Sequence, residues 1–433
     1  MTVWTNFAGD QSCVPAAFER PRNRRELARA LAAARAAGRG VRVAGAGHSF
    51  TDAVLTDGTL LSLDRLDRVV DIDRAAGLVR VEAGIRLGAL SEILWDHGLA
   101  FANLGDIDVQ SLAGAASTGT HGTGAAHPNV SASLRSIELM LADGELVELS
   151  AETDRDGWRA ARVAIGALGV ITEVTLAVVP AFTLDSVETT APLEATLDSF
   201  DELVAGNDHF GLFTFPHSDL AIVNSSNRID SAPRPRPAPL EWFDDIAMTN
   251  YAFWGICLLG RARPALIPAL NRLTSRLAGT TRVRDCSYRV FRTPRRVPIT
   301  EMEYAIPRAA AAEAVRAVRA VAESEHFDVP VPIEVRVAAA DDALLSPAHE
   351  RDVCWIAVHQ FAGIDFERYF RAVEEVLLGF GGRPHWGKRH FRDADSLRGS
   401  YPEWERFAGV RRRLDPGGTF TNAYVERVLG PAG

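Results

Sequence analysis

The 433-residue sequence lacks several features that mark particular classes of protein. It has no apolar run of membrane-spanning length, and its first residues lack the basic and apolar segments of a secretory signal. Its four cysteines are scattered, without a CxxC pair or a metal-like spacing, which predicts free thiols in a reducing compartment. The net charge of −9 argues against a nucleic-acid or anionic-membrane partner, since both require a basic face. We therefore expect a cytoplasmic protein with no membrane segment.

The composition is that of an ordinary globular protein, with 47% hydrophobic and 24% charged residues, and the length predicts two or three domains. A first helix is predicted over residues 24–37, because Asn23 is a good N-cap, Glu26 stands three residues on, and Gly38 can end the helix. Many short strands and few helices predict an α+β fold rather than a regular βαβ array. The other elements predicted in the first 180 residues are strands at 41–44, 60–63, 69–72, 78–82, 136–141 and 170–179, and a helix at 87–97.

A second region of strands and helices begins near Pro180. Within it, the proline-rich stretch 231–239 predicts an exposed loop or linker. The tail at 384–424 is dense in histidine, tryptophan, arginine and tyrosine, which is unusual for a terminus. The elements predicted between Pro180 and this tail are strands at 210–215, 282–288, 300–305, 333–338 and 354–361, and helices at 308–324 and 365–378.

The most informative stretch is a histidine inside a glycine-rich run at residues 45–50. Glycine lets backbone N–H groups come close to a phosphate or a flat ring, and His48 would point at whatever this backbone holds. A Rossmann motif is excluded, because Phe50 stands where the third glycine is needed and a strand follows instead of a helix. Residues 382–388 superficially match a P-loop, but Arg389 replaces the Ser or Thr that would hold magnesium, so we reject a nucleotide triphosphatase. The run at 45–50 therefore suggests a bound cofactor and a covalent bond to it.

A second cluster of small residues, at 114–124, carries four hydroxyl groups and His121. Its backbone N–H groups and hydroxyls can donate to an anion such as a pyrophosphate. The alternative is a tightly packed turn, and for this cluster alone the two interpretations are equally good. Two such runs within eighty residues, each with a histidine, favour one large cofactor.

Four residues of the second half could take part in chemistry, and each also has a purely structural interpretation. Glu334 and Arg336 would share one face of a strand, where a solvent-facing ion pair is the usual explanation. His359 lies on a similar strand, where a lone histidine is more often a hydrogen-bonded core residue than a reactant. Lys388 follows a rigid Pro-His-Trp-Gly run, which would hold a cation near aromatic surface.

Together these stretches resemble the vanillyl-alcohol-oxidase type of flavoprotein, and within it the sugar-1,4-lactone oxidoreductases, which are related to alditol oxidases. The resemblance covers nearly the whole chain and is weakest over 184–297. The combination of the HSF, THGTG and HWGK strings makes it specific. The matching stretches are 45–52, 111–124, 166–171, 334–336, 384–388 and 415–422.

The resemblance implies a two-domain α+β protein. Residues 1–180 would form a PCMH-type FAD-binding domain, 181–380 an α/β substrate cap, and 381–433 a C-terminal segment that returns to the flavin. FAD would be attached covalently through His48, and no metal is expected. The positions that match FAD-contacting residues of the family are Val43, Ala44, Gly45, Ala46, Gly47, His48, Ser49, Gly105, Ser111, Gly114, Thr118, Gly119, Thr120, His121, Ile171, His385 and Lys388.

The resemblance also implies a reaction, in which a ring CH–OH of a sugar lactone transfers a hydride to flavin N5. Glu334, Arg336 and Lys388 match the catalytic positions, and Asp106 and His359 join the first two in substrate binding. A fixed cation, Lys388 or Arg336, would stabilise the negative charge that develops at the N1–C2=O edge of the flavin. Glu334 would bind a substrate hydroxyl and orient the C–H bond.

Several alternatives remain open at this level. Polyol-oxidising members tend to have serine where this chain has Asp106, which favours a lactone over an alditol without excluding alditols or the hydroxyl of a secondary-metabolite sugar. Gly105 leaves room at the flavin and favours oxygen as acceptor, yet lactone dehydrogenases can carry the same glycine. A non-catalytic flavin-binding protein is the alternative of another class. The oligomeric state is not predicted.

Overall fold

The computed structural model describes residues 2–324 and 327–431. Its first part contains a three-stranded parallel sheet in which Thr59–Ser62 lies between Ala17–Glu19 and Val41–Ala44. The helix Arg24–Ala36 packs its buried leucines against this sheet, and the Asn23 side chain accepts the backbone N–H of its third residue as predicted. The strand Val41–Ala44 leads directly into the glycine-rich run, so this sheet positions His48.

A five-stranded antiparallel sheet forms the rest of the core of the first part. Its order is Leu146–Ser150, Leu134–Met140, Val170–Ala177, Leu78–Glu82 and Val69–Asp73. Two short pairs, Trp4–Thr5 with Ser12–Cys13 and Leu99–Ala100 with Val179–Pro180, complete the strands described there. The other helices of this part are Leu87–Asp96, Leu112–Thr118 and Arg155–Arg162, with a 3₁₀ turn at Val130–Ser133.

The second part is built on an eight-stranded sheet in which all neighbouring strands run antiparallel. Ile333, Val335 and Val337 lie on the face that packs against the amphipathic helices, which leaves Glu334 and Arg336 on the opposite face. The strand order is Thr280–Cys286, Thr183–Pro192, Leu220–Ile229, His209–Thr214, Ile333–Ala338, Val353–Phe361, Ile299–Pro307 and Arg383–Pro384. The helices that cover it include Ala311–Ser324 and Glu367–Gly379.

The register of three central strands sets the polar face of this sheet. Ala357, in the middle strand, is paired with Glu334 on one side and with Glu303 on the other. Two residues away, Glu301 is paired with His359. Because side chains two apart share a face, the register collects three glutamates from two strands around one small alanine.

The C-terminal segment returns to the first part. Arg383–Pro384 is the edge strand of the large sheet, and the helices Ala394–Arg398, Trp404–Leu414 and Ala423–Leu429 join the apolar core of the first part. Asp415 accepts the backbone N–H groups of Thr419 and Phe420 at 2.8 and 2.9 Å, which fixes the turn before the last helix. The predicted division at residues 180 and 380 stays a prediction.

Sequence patterns underestimated the regular structure of residues 183–277. The long strands Thr183–Pro192 and Leu220–Ile229 were not predicted, because neither has strong apolar alternation. The predicted loop at 231–239 is correct up to its last two residues, which begin a helix. A helical region follows over residues 238–277. It consists of Ala238–Trp242, a π-helix at Phe243–Ala252, Phe253–Ala262, a 3₁₀ turn at Pro264–Leu266 and Ile267–Leu277. The remaining short helices are Leu193–Asp198, Phe200–Ala205, Ser287–Phe291 and the 3₁₀ turn Arg308–Ala310.

No helix within 2–324 or 327–431 is both long enough and apolar enough to cross a bilayer.

Candidate active site

Two cavities adjoin each other, one within the first part and one between the first part and the large sheet. The first, here called the cradle cavity, has about 1080 Å³ of empty space and is lined by residues 42–49 and by small residues around Ser111 and Gly114. The second, here called the charged cavity, has about 840 Å³ and is lined by four carboxylates and three fixed cations of the described residues. His48, Ser49, Gln110 and Thr118 line both cavities, so a single elongated ligand could occupy them.

Glycines make the wall of the cradle cavity smooth. A Cβ at Gly45 would lie 2.6 Å from the Ser111 Oγ, and one at Gly114 would lie 2.9 Å from the same atom. Gly47 has φ of +73°, a conformation that L side chains rarely adopt. The two glycine-rich runs therefore meet at the Ser111 hydroxyl, and backbone groups of both runs are accessible to a phosphate or a flat ring.

His48 stands where the two cavities join. Its ring stacks on Phe7 with centroids 4.4 Å apart. Burial, together with the nearby cations Lys388 and Arg86, lowers the pKa of His48 to about 4. The imidazole is therefore neutral at physiological pH and keeps a free electron pair on nitrogen, which a covalent bond to a cofactor requires.

Arg42 ties the cradle cavity to the C-terminal segment, a role that the sequence did not reveal. Its guanidinium donates to the carbonyls of Ala53, Ile165 and Phe420 at 2.8, 2.7 and 2.6 Å. Burial lowers the pKa of Arg42 to about 10. Because this buried side chain donates to carbonyls from three chain segments, its loss would loosen the strand that leads to His48.

In the charged cavity, Arg336 contacts both Asp106 and Glu334 through Nη2, and Arg295 donates to Asp106 at 2.6 Å. Burial alone would raise the pKa of Asp106, but Arg336 and Arg295 more than offset this and hold the pKa below its usual value. The guanidinium pKa values are raised in turn, because Glu334 and Asp106 outweigh the effect of burial. Asp106, Arg295 and Arg336 therefore stay charged over the working pH range.

Lys388 pairs with Glu301 across the floor of the charged cavity. Burial would raise the pKa of Glu301, but Lys388 and His359 bring it well below its ordinary value. Lys388 is also the only lysine in a chain with 47 Lys and Arg residues. A chain that uses arginine at every other basic position has an ammonium at this one, which indicates that a compact point charge is required here.

A buried pair of histidines flanks the lysine. His121 is stacked on Trp355 with centroids 3.9 Å apart, and its Nε2 lies 3.1 Å from Glu303 Oε1. Burial would raise the pKa of Glu303, but its contact with His121 lowers it to about 2. Burial lowers the pKa of His385 to about 3, and its Nδ1 accepts the Gly387 N–H at 3.0 Å. His385 is therefore a neutral ring beside a carboxylate that stays ionised.

Most of the predicted site residues line one of the two cavities. Gly119 and His359 line neither. Gly119 ends the helix Leu112–Thr118 with φ of +74°. This left-handed backbone conformation favours glycine, which explains the residue without a ligand contact. His359 lies behind the carboxylates, with Nδ1 2.8 Å from the Pro332 carbonyl and Nε2 3.7 Å from Glu301. Its assignment as a substrate-facing residue stays a prediction.

Gly105 lines the charged cavity beside Asp106. A Cβ there would lie 2.8 Å from the His121 carbonyl oxygen, so close packing already requires glycine. The proposed role of Gly105 in oxygen access stays a prediction.

Sequence reasoning missed several residues of the site. Glu301 and Glu303 break an otherwise apolar strand at alternate positions, a signal that was available. Arg295 gave no such signal, because it lies in a loop between two poorly patterned elements. The other missed residues that line the cavities include Trp4, Phe7, Arg42, Arg86, Gln110, Ser117, Gly166, Gly169 and Val297.

Two groups of three buried His and Glu side chains lie close enough together to suggest a metal site. They are His121, Glu303 and His385, and Glu301, Glu334 and His359. Each of these carboxylates already contacts a cation or an imidazole of the protein. The prediction of no metal stays a prediction.

Comparisons with known proteins identify the family. A profile described as D-arabinono-1,4-lactone oxidase matches residues 174–428, and one described as FAD binding domain matches residues 15–150. The chain belongs to the D-arabinono-1,4-lactone oxidase family. The resemblance seen in the sequence is thus confirmed, and with it FAD as the cofactor.

Similar proteins match over almost the full length. An L-gulono-1,4-lactone dehydrogenase of Mycobacterium tuberculosis is 46% identical, with 99% of each chain covered. An L-gulonolactone oxidase of Bos taurus is 34% identical, covering 98% of this chain and 97% of its own. An alditol oxidase of Streptomyces is 33% identical, with 99% of each chain covered.

Among solved structures, cholesterol oxidase from B. sterolicum superposes with a TM-score of 0.83 at 16% identity, covering 99% of this chain and 96% of its own. This similarity, together with the two matching profiles, confirms the predicted fold class, an α+β protein with a PCMH-type FAD-binding domain and a cap. The cavities also fit FAD in chemistry: the cradle cavity offers close backbone N–H groups to a pyrophosphate, and His48 adjoins a cavity rich in charge.

Proposed function

We propose that this protein oxidises a ring CH–OH group of a sugar-1,4-lactone of the L-gulono or D-arabinono type to a ketone, with FAD as the hydride acceptor. The observation that carries this proposal is the position of Glu334, Arg336 and Lys388 in one cavity that adjoins His48. FAD would lie along the cradle cavity with its isoalloxazine ring attached through His48, and when bound it would take the hydride from the carbinol carbon.

The residues of the charged cavity would divide the remaining work. Glu334 accepts a hydrogen bond from the substrate hydroxyl and turns the C–H bond toward the cofactor. The hydroxyl proton would pass to this carboxylate as the hydride leaves the carbinol carbon. Arg336 and Lys388, whose side chains are largely buried, place fixed positive charge where negative charge develops. Glu301 keeps Lys388 in place through their ion pair.

The proposal covers oxygen and another electron acceptor alike, since the names of the similar proteins include both oxidases and dehydrogenases. All four cysteines are free in the described part of the chain, and the cytoplasmic location stays a prediction.

Anaerobic reduction of the holoprotein tests the reaction. We expect L-gulono-1,4-lactone or D-arabinono-1,4-lactone to bleach the yellow protein, and Glu334→Gln to keep its FAD but bleach about 100- to 1,000-fold more slowly. Parallel assays with oxygen and with an artificial dye would identify the acceptor. If neither lactones nor polyols reduce the flavin, the protein is a flavin binder and the proposal is wrong.

Denaturation tests the covalent bond separately. Acid-precipitated protein should stay fluorescent on a denaturing gel, and His48→Ala should release the fluorescence while the folded variant still binds FAD. The neutral His48 ring beside Phe7 supports this proposal. A colourless pellet from the unmutated protein would rule out the covalent bond but leave the proposed reaction standing.

A further inference from the structure

Arg295 reaches the charged cavity from a loop of the cap and is not among the residues that the family resemblance implied. Its Nη2 donates to Asp106 Oδ2 at 2.6 Å and lies 3.5 Å from Glu334 Oε2. Its side chain is 28% exposed, whereas that of Glu334 is 6% exposed. Arg295 therefore lies at the rim of the cavity, where an arriving substrate would meet it.

The loop that carries Arg295 is fixed on both sides. The Asn250 side chain donates to the Pro294 carbonyl at 2.8 Å and accepts the Arg296 N–H at 2.6 Å, so one amide brackets Arg295. The Thr293 N–H donates to the Asp106 carbonyl at 3.0 Å. A surface loop that only connects two elements does not require three such bonds.

Asn250 itself is held firmly. It is 2% exposed and lies on the π-helix Phe243–Ala252, where its second amide hydrogen donates to the Asp245 carbonyl at 2.6 Å. Both amide hydrogens and the oxygen are thereby used within the protein. Asn250 is thus suited to position the Arg295 loop and is not available to bind a substrate itself.

Arg295 has donors to spare. A guanidinium carries five N–H donors, and Nη2 is the one of its three nitrogens with an acceptor among the described residues. Its Nε and Nη1 would thus be available to an uncharged oxygen acceptor in the cavity. A lactone carbonyl is such an acceptor, because it can only accept hydrogen bonds. Each hydroxyl of an open-chain alditol can also donate, so it can bind the nearby carboxylates instead.

We propose that Arg295 binds the carbonyl of the lactone and gives the site its preference for lactones over alditols. Asp106 holds the guanidinium, and Asn250 is the positioning residue for its loop. This inference rests on the proposed function, because it names the group that recognises one end of the proposed substrate.

The test compares Arg295→Gln with a matched control on the same loop, Arg296→Gln. The Arg296 side chain contacts the Tyr251 hydroxyl at 3.0 Å and does not line the cavity. We expect Arg295→Gln to raise KM for L-gulono-1,4-lactone by roughly 10- to 100-fold, since a hydrogen bond from a charged group is lost. Binding of xylitol, measured as a substrate or as a competitive inhibitor, should change less than about twofold. Arg296→Gln should change neither constant.

Asn250→Ala tests the positioning role. It should raise KM for the lactone with little change in kcat, and the double variant with Arg295→Gln should be no worse than Arg295→Gln alone, because both act through one guanidinium. FAD content and lactone-induced shifts in Tm, measured on the same samples, would separate loss of binding from loss of folding.

The outcomes distinguish the two proposals. If the unmutated protein is not reduced by any lactone, the proposed function is wrong. If it is reduced, and Arg295→Gln behaves like Arg296→Gln, the inference alone is overturned. Equal weakening of lactone and xylitol binding would also overturn it, because Arg295 would then not select the carbonyl.

Discussion

The cradle cavity and the charged cavity meet at His48, yet they are built from different kinds of groups. The cradle cavity is lined largely by backbone and small side chains, many of them from the two runs at 43–49 and 111–118. The charged cavity is lined by charged side chains that come from two loops, two strands and the C-terminal segment. The cradle cavity would bind a ligand through exposed backbone groups, and the charged cavity would bind one through the placement of its charged side chains.

This difference determines how each region responds to mutation. In the cradle cavity an added methyl group causes a steric clash, so damage should appear as lost FAD. In the charged cavity a removed charge leaves its partner unpaired, so damage should appear as lost turnover with FAD retained. The following predictions test that separation.

The largest effect is expected at Lys388. Lys388→Met should lower the rate of flavin reduction by roughly 100- to 1,000-fold without loss of FAD, because it removes a fixed cation from the site and leaves Glu301 buried without its partner. Lys388→Arg should restore little, since a planar guanidinium does not replace a compact ammonium. Stopped-flow reduction and the absorbance of bound flavin would measure the two properties. Full activity of Lys388→Arg would contradict the argument drawn from the single lysine.

A smaller effect is expected at Gly45. Gly45→Ala places a methyl group against the Ser111 hydroxyl and should weaken FAD retention by about 1–3 kcal/mol, with near-normal reduction in the molecules that keep FAD. Adding Ser111→Ala should recover part of the loss, because the second change removes the clashing oxygen. Gly399→Ala is the matched control, since a Cβ there meets nothing within 4 Å. If Gly45→Ala lost turnover at normal FAD content, the expected separation between the two cavities would be wrong.

The smallest effect concerns pH. Burial lowers the pKa of His209 to about 4 and those of His385 and His390 to about 3, from an ordinary value of 6.5. The folded chain keeps these rings neutral, whereas the unfolded chain protonates them below about pH 6.5. Stability is therefore fully present above pH 6.5 and is lost as the pH falls toward the folded pKa values.

Urea unfolding of the holoprotein between pH 7.5 and 5.0 would measure this loss. His390→Gln should reduce the slope of the free energy of unfolding against pH by up to about 1.4 kcal/mol per pH unit. Asp106→Asn should leave the slope unchanged in this window, because Arg336 and Arg295 keep the pKa of Asp106 below it. A slope that depends on Asp106 would mean that the cavity carboxylates titrate in that range.

The sequence by itself determined the cradle cavity, the first helix, the strand that carries Glu334 and Arg336, and the α+β class. These depend on local rules: glycine where the backbone must be bare, and alternation where a strand has one buried face. The strands at 183–192 and 220–229 escaped prediction because their stability comes from pairing with distant partners. Only the tertiary structure placed Glu301, Glu303 and Arg295 beside Asp106 and Lys388. The register of an antiparallel sheet and the path of a bracketed loop decided this, and neither is encoded by any short stretch of residues.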